Sequence, residues 1–205
     1  MYLAHIPQYV QALFPGLTWK LATDRKEIFL TFDDGPIPQV TPWVIKTLAE
    51  YEAKATFFCV GDNVKKYPEI YHQVIEGGHS VGNHTNNHLS GWSTENIAYF
   101  NNIRHCARMV QSGLFRPPYG KLRPSQIHFL QRHYQIIMWD VLSGDFDTKI
   151  SPEKCLHNVL SNIEPGSIIV FHDSEKAWER MSYALPQVLQ YCKEKKWELK
   201  ALPKI

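Results

Sequence analysis

The chain has 205 residues, 44% hydrophobic and 20% charged, with 22 basic side chains against 20 acidic ones. That length suits one domain with a core able to stand without staples, and the composition excludes a disordered chain. A formal charge of +2, with no clustered basic excess, argues against a nucleic-acid partner.

The N-terminal segment MYLAHIPQYVQALFPGLTWK has neither the basic start nor the uninterrupted apolar stretch of a secretory leader. No run approaches the roughly 18–20 apolar residues of a membrane span. Cys59, Cys106, Cys155 and Cys192 lack paired short spacing and read as buried free thiols. Without a leader or a disulfide pattern, the expected compartment is the cytoplasm.

Apolar segments rich in β-branched and aromatic residues predict strands at 27–32, 55–60, 79–82, 114–116, 135–141, 167–171 and 197–202. Helical patterns fall between them at 42–53, 64–76, 94–111, 125–133, 153–163 and 176–195. Thr41 is the expected N-cap of the first of these, with Pro42 at its first turn. Gly77-Gly78 should stop the second. Pro186 should kink or restart the last. Strict alternation points to a parallel α/β fold, either an open doubly wound sheet or a barrel. Both place chemistry at the C-terminal ends of the strands.

Those ends are conspicuously polar. The first strand runs into Thr31-Phe32-Asp33-Asp34-Gly35-Pro36; Asp-Gly-Pro is ordinary turn chemistry, which leaves the paired acids unexplained. The third runs into Gly82-Asn83-His84-Thr85-Asn86-Asn87-His88. Two histidines four apart face one way if the segment makes a helical turn, and with a carboxylate they form a three-ligand set that leaves room for water and substrate. The fourth delivers Arg116-Pro117-Pro118-Tyr119-Gly120, the fifth Asp140 and Asp145-Phe146-Asp147, and the sixth Val170-Phe171-His172-Asp173. Of the ten histidines, His5, His72, His105, His128, His133 and His157 lie in the N-terminal arm or on helices and read as surface or packing residues; His79, on the third strand, likewise needs no functional role.

These five ordered motifs resemble the polysaccharide deacetylases, the family four carbohydrate esterases, from about Glu27 onward. The resemblance implies a distorted seven-stranded (β/α) barrel, similar to a TIM barrel. It implies an N-terminal extension, 1–26, packed on a catalytic domain, 27–205. By the same resemblance Asp34, His84 and His88 hold a divalent metal ion, usually zinc, with cobalt or another ion sometimes serving. Asp33 is the catalytic base and Arg116 its partner; the Tyr119 N–H is an oxyanion donor; His172 is the general acid, oriented by Asp145. Phe146, Val170 and Tyr119 line the pocket for the acetyl methyl group. Phe146 stands where relatives commonly carry Trp, Val170 where they carry Leu, and Leu142 where many carry Asp. The first two changes stay apolar and imply a reshaped pocket.

The activity implied is metal-dependent removal of N-acetyl groups from a glycan containing N-acetylglucosamine, peptidoglycan or chitin-like. The partner is therefore an acetylated glycan, without nucleic acid or membrane span. The alternatives are an O-acetyl esterase of the xylan type and an inactive carbohydrate-binding relative. A barrel whose strand-end groups only satisfy one another is the remaining reading.

Overall fold

The structure is a computed structural model, and it describes residues 2–203. Its central strand, β1 (Glu27–Asp33), is buried at all seven positions, as expected of a parallel strand covered on both faces. The other strands are β2 (Ala55–Cys59), β3 (Ser80–Asn83), β4 (Leu114–Phe115), β5 (Gln135–Ile136), β6 (Val141–Leu142), β7 (Ile168–His172) and β8 (Glu198–Leu199). Seven follow the order β5-β4-β3-β2-β1-β7-β6, and all the pairings are parallel. β8 lies off this path, paired with the start of β1.

Residues 135–141 do not form one strand: β5 and β6 sit at opposite edges of the sheet, and residues 137–140 carry the chain between them. The passage curls the sheet into a distorted barrel. Its backbone groups pair first with β4, where Ile137 N–H donates to Phe115 O at 2.8 Å, and the flanking segment then pairs with the N-terminal arm. Met138 N–H donates to Thr18 O at 2.7 Å, Ile6 N–H to Asp140 O at 2.8 Å and Leu142 N–H to Ala4 O at 2.8 Å. Such pairing covers edges that would otherwise present open hydrogen-bonding groups. Buried Asp140 ties the passage to β7, accepting from Ile168 N–H and Ser167 Oγ, each at 2.7 Å.

The helices are α1 (Gln8–Ala12), α2 (Val40–Glu50), α3 (Gly61–Lys66), α4 (Pro68–Glu76), α5 (Asn96–Ala107), α6 (Pro124–Leu130), α7 (Pro152–Leu160) and α8 (Trp178–Lys195). The helix expected at 64–76 is two, broken at Tyr67, which leads into Pro68. Gly77 caps α4 as expected. Thr41 is not a cap: α2 begins one residue earlier, and the Thr41 hydroxyl is engaged by Asp173. Pro186 lies inside one continuous helix, held by buried Met181, Ala184, Leu185, Val188, Leu189 and Cys192 on both sides of it. All four cysteines are buried and free.

Alternation along the strands divides two cores. Ile28, Leu30, Phe32, Phe57, Ile169 and Phe171 face the helices. Phe29, Phe58, Leu114, Ile137, Ile168 and Leu202 fill the concave inner side. Because side chains repeat every second residue, that inner row continues from Phe29 to Thr31 and Asp33, from Leu114 to Arg116, and from Ile168 to Val170 and His172. The polar strand ends are therefore the top layer of the barrel interior.

Candidate active site

The site is built where the inner rows emerge. Strands β1 and β7 pair in register so that Asp33 lies opposite His172. Arg116, fully buried, reaches across the interior from the end of β4. Its Nη1 donates to Asp33 Oδ1 at 2.8 Å and to Thr31 Oγ1 at 2.7 Å. Its Nε and Nη2 donate to Ile137 O and Met138 O, and its guanidinium lies 4.2 Å above the Phe58 ring. A fully buried cation with all three nitrogens hydrogen-bonded is a rigid partner for a carboxylate.

Asp34, His84 and His88 converge beside this pair, with one ligand-capable atom from each lying within 4.8 Å of the others. Asp34 Oδ1 is 3.1 Å from His88 Nε2 and 3.8 Å from His84 Nε2. The histidines do not share a helical turn. Left-handed backbone at Thr85 (φ 64°) and His88 (φ 59°) folds the loop back instead, and Asn83 Oδ1 accepts from Thr85 N–H at 2.9 Å to hold it. Asp34 (φ 84°) and Tyr119 (φ 61°) are left-handed as well. Four non-glycine residues in this sparsely populated region, all at one end of the barrel, mark backbone strained in the service of side-chain placement.

The chemistry of these donors suits a divalent cation. His84 Nδ1 lies 2.8 Å from Arg116 O and His88 Nδ1 3.1 Å from the Tyr119 hydroxyl, so each ring has its Nε2 left for the cluster. Outer partners of this kind orient histidine ligands at metal centres. Asp34 Oδ1 is buried without a hydrogen bond of good geometry, although His88 lies close by. Burial, aided by His88, pushes His84 down to about 4 against the pull of Asp33 and Asp34, so its imidazole is neutral with a lone pair available.

His172 is the opposite case. Burial disfavours its charge but is outweighed by Asp145 beside it, with Asp34 and Asp33 adding, and the ring is raised to about 10. Asp145 is fully buried and holds His172 at the ring and at the main chain. Arg180, itself buried, donates to Asp145 O at 2.7 Å and anchors that loop to α8.

The three residues expected to line an acetyl pocket are placed differently from one another. Phe146 meets the His172 ring edge-on at 5.2 Å. Val170 is buried two positions below His172 on the inner row, while Tyr119 as a residue is 62% exposed. Leu142 is buried on β6. Asp147 lies near the Tyr2 hydroxyl, outside this cluster. His72, His105, His128, His133 and His157 are exposed, and His79 is buried as a neutral acceptor of Ala55 N–H.

One residue of the region had no role assigned from sequence. Asp173, 1% exposed, accepts from Gly35 N–H at 3.1 Å and bonds the Thr41 hydroxyl. Burial and the neighbouring Asp34 charge raise it to about 8. The only sequence signal was its place directly after His172 at a strand end.

Residues 20–134 match the family described as polysaccharide deacetylase. The chain is 31% identical over 185 residues to a peptidoglycan-N-acetylglucosamine deacetylase of Bacillus cereus, covering 87% of each chain. It is 34% identical over 166 residues to a chitooligosaccharide deacetylase of Azorhizobium caulinodans, covering 77% of this chain and 79% of that one. Among solved structures it resembles the peptidoglycan N-acetylglucosamine deacetylase Bc1960 in complex with 4-naphthalen-1-yl-N-oxidanyl-benzamide. That similarity has a TM-score of 0.85 at 30% identity, over 92% of this chain and 91% of the other.

Proposed function

The chain belongs to the polysaccharide deacetylase family, and we propose that it hydrolyses N-acetyl groups on a glycan containing N-acetylglucosamine, releasing acetate and a free amino sugar. One observation carries this reading: a three-donor cluster flanked by two different carboxylate pairs, Asp33–Arg116 and Asp145–His172, at one end of the barrel. Amide hydrolysis needs a proton taken from water and another given to the departing nitrogen, and the two pairs suit those opposite tasks.

In this reading Asp34, His84 and His88 hold a divalent ion, zinc by the donor set with cobalt an alternative. Once bound, the ion supplies a Lewis acid that polarises the acetyl carbonyl and makes a nearby water more acidic. Asp33 is the base. Arg116 occupies its Oδ1 and keeps the carboxylate oriented while it accepts the proton of the attacking water. The Tyr119 N–H serves as a fixed donor to the developing oxyanion, a contribution worth about 3–4 kcal/mol in comparable sites.

His172 is the acid. Asp145 occupies its Nδ1, so Nε2 delivers the proton to the departing amine. Phe146, Val170 and Tyr119 surround the acetyl methyl group. Residues 1–26 are an extension closing the barrel formed by 27–205; the ends of this division, Met1 and Lys204–Ile205, lie outside the described residues.

The substrate is peptidoglycan or a chitin-like chain, in keeping with what the named relatives act on. Acetate release from defined N-acetylated oligosaccharides and from acetylated xylan tests the choice. Release from the first group supports the reading, and release from xylan alone would transfer the activity to O-acetyl esters.

A further inference from the structure

Asp34 has to hold its carboxylate toward two imidazoles from a backbone conformation, φ 84°, that side-chain-bearing residues rarely adopt. Strained residues persist where their surroundings over-determine them, and the contacts that do so here can be named. Asn63 Nδ2 donates to the Asp34 carbonyl at 2.8 Å. The next residue, Gly35, gives its carbonyl to Val60 N–H at 2.9 Å and its N–H to Asp173 Oδ1 at 3.1 Å.

Asp173 is therefore joined to the same turn from the opposite strand. Its own N–H donates to Asp33 O at 3.0 Å, which docks the end of β7 on the end of β1. Its second oxygen bonds Thr41 Oγ1, and that hydroxyl oxygen in turn accepts from Ile37 N–H at 2.9 Å, past the far side of the turn. The fit is tight. A Cβ added at Gly35 would lie 1.9 Å from Asp173 Oδ2, so the carboxylate fills the space that any other residue at 35 would need.

We propose that Asp173 is a positioning residue: its buried carboxylate clamps the Asp34–Gly35 turn and so sets the Asp34 carboxylate against His84 and His88. This rests on the reading of those three residues as metal ligands. The clamp needs hydrogen bonds rather than charge. An ionised Asp173 accepts the Thr41 O–H, and a protonated one donates to the same oxygen, with Gly35 N–H satisfied in both cases. Asparagine offers an equivalent pair of groups: its oxygen for Gly35 and its NH2 for Thr41.

The test is zinc titration of the metal-free protein, with a melting curve on each variant. Asp173→Ala should weaken zinc binding about 10- to 100-fold, the usual consequence of losing a partner that orients a ligand. Asp173→Asn should stay within about threefold of the unaltered protein by the hydrogen-bond equivalence just given. Asp140→Ala removes a comparably buried carboxylate at the other end of the strands; it should lower the melting temperature and leave zinc affinity unchanged. If Asp173→Ala does not fold, Thr41→Val decides, with an expected loss of about threefold or more from the loosened clamp. The proposal is overturned if Asp173→Ala, or Thr41→Val in its place, binds zinc like the unaltered protein. It is overturned also if Asp173→Asn is as weak as alanine, or if Asp140→Ala is equally weakened. An unaltered protein that takes up no zinc overturns the metal reading and this inference together, whereas tight binding by every variant overturns only the inference.

Discussion

Asp145 grips His172 at two points: Oδ2 accepts the His172 main-chain N–H at 2.7 Å, and Oδ1 meets the ring Nδ1 at 2.8 Å. The double contact fixes the ring's orientation and places a negative charge beside it. Burial opposes the charged imidazole, yet Asp145 and the more distant Asp34 and Asp33 prevail and raise His172 to about 10, well above the ordinary value near 6.5. A base raised on folding contributes stability that is full below about 6.5 and is lost as pH rises through about 10. Asp145→Asn should remove most of that contribution. In the metal-free protein, the gap in melting temperature between the unaltered chain and Asp145→Asn should narrow from pH 6.5 to pH 10. A gap independent of pH would contradict the assignment.

Asp33 is assigned to proton transfer and not to metal holding. Asp33→Asn should lower kcat by about 10²- to 10⁴-fold, the range for loss of a general base, and leave zinc affinity unchanged. Steady-state kinetics beside a zinc titration will separate the two roles, since a variant that loses its metal would refute the division between Asp33 and Asp34.

Arg116 and Asp33 are buried together, at 0% and 4% exposure. Removing one member of such a pair leaves the other charge without a partner in the interior. Arg116→Leu should therefore destabilise the fold by about 3–5 kcal/mol, read from urea unfolding. Arg116→Lys keeps the charge but not the fork that also reaches Ile137 O and Met138 O, and should fall between the two. A loss below about 1 kcal/mol in Arg116→Leu would mean that the pair is not what holds the interior.

His79 has its Nδ1 committed to Ala55 N–H, and burial, with Lys54 adding, lowers it to about 4. A histidine depressed on folding supports stability above about 6.5, and that support is lost as pH falls toward 4. His79→Gln keeps an acceptor and removes the titration. Its melting temperature should decline less between pH 7 and pH 4 than that of the unaltered protein. Parallel declines would show that His79 takes up its proton without cost to the fold.

The strand ends were legible in the sequence because their information is local. Period-two alternation carries Leu114 to Arg116 and Ile168 to His172, and a polar residue at the end of an apolar row announces itself. Residues 137–140 were not legible. Ile137 and Met138 are apolar and read as more strand, whereas only Ile137 N–H still pairs with a strand, at Phe115 O; both carbonyls are taken by Arg116 and Met138 N–H by Thr18, partners far away in sequence. The His84–His88 pair was recognised for its residue types, but its geometry comes from left-handed backbone at Thr85 and His88, which spacing does not reveal. Thr41 had the sequence of an N-cap, and its hydroxyl answers instead to Asp173, 132 residues on. That contact exists only because β1 and β7 are neighbours, and nothing local to Asp173 in the sequence encodes it.

The most direct measurement is acetate release from an N-acetylated chitooligosaccharide by the purified protein, before chelation, after verified removal of metal, and after zinc is restored. The account predicts release that stops on metal removal and returns with zinc, matched by an equal yield of free amine on the sugar. Release that persists unchanged in metal-free protein, or acetate obtained only from O-acetyl esters, would contradict it.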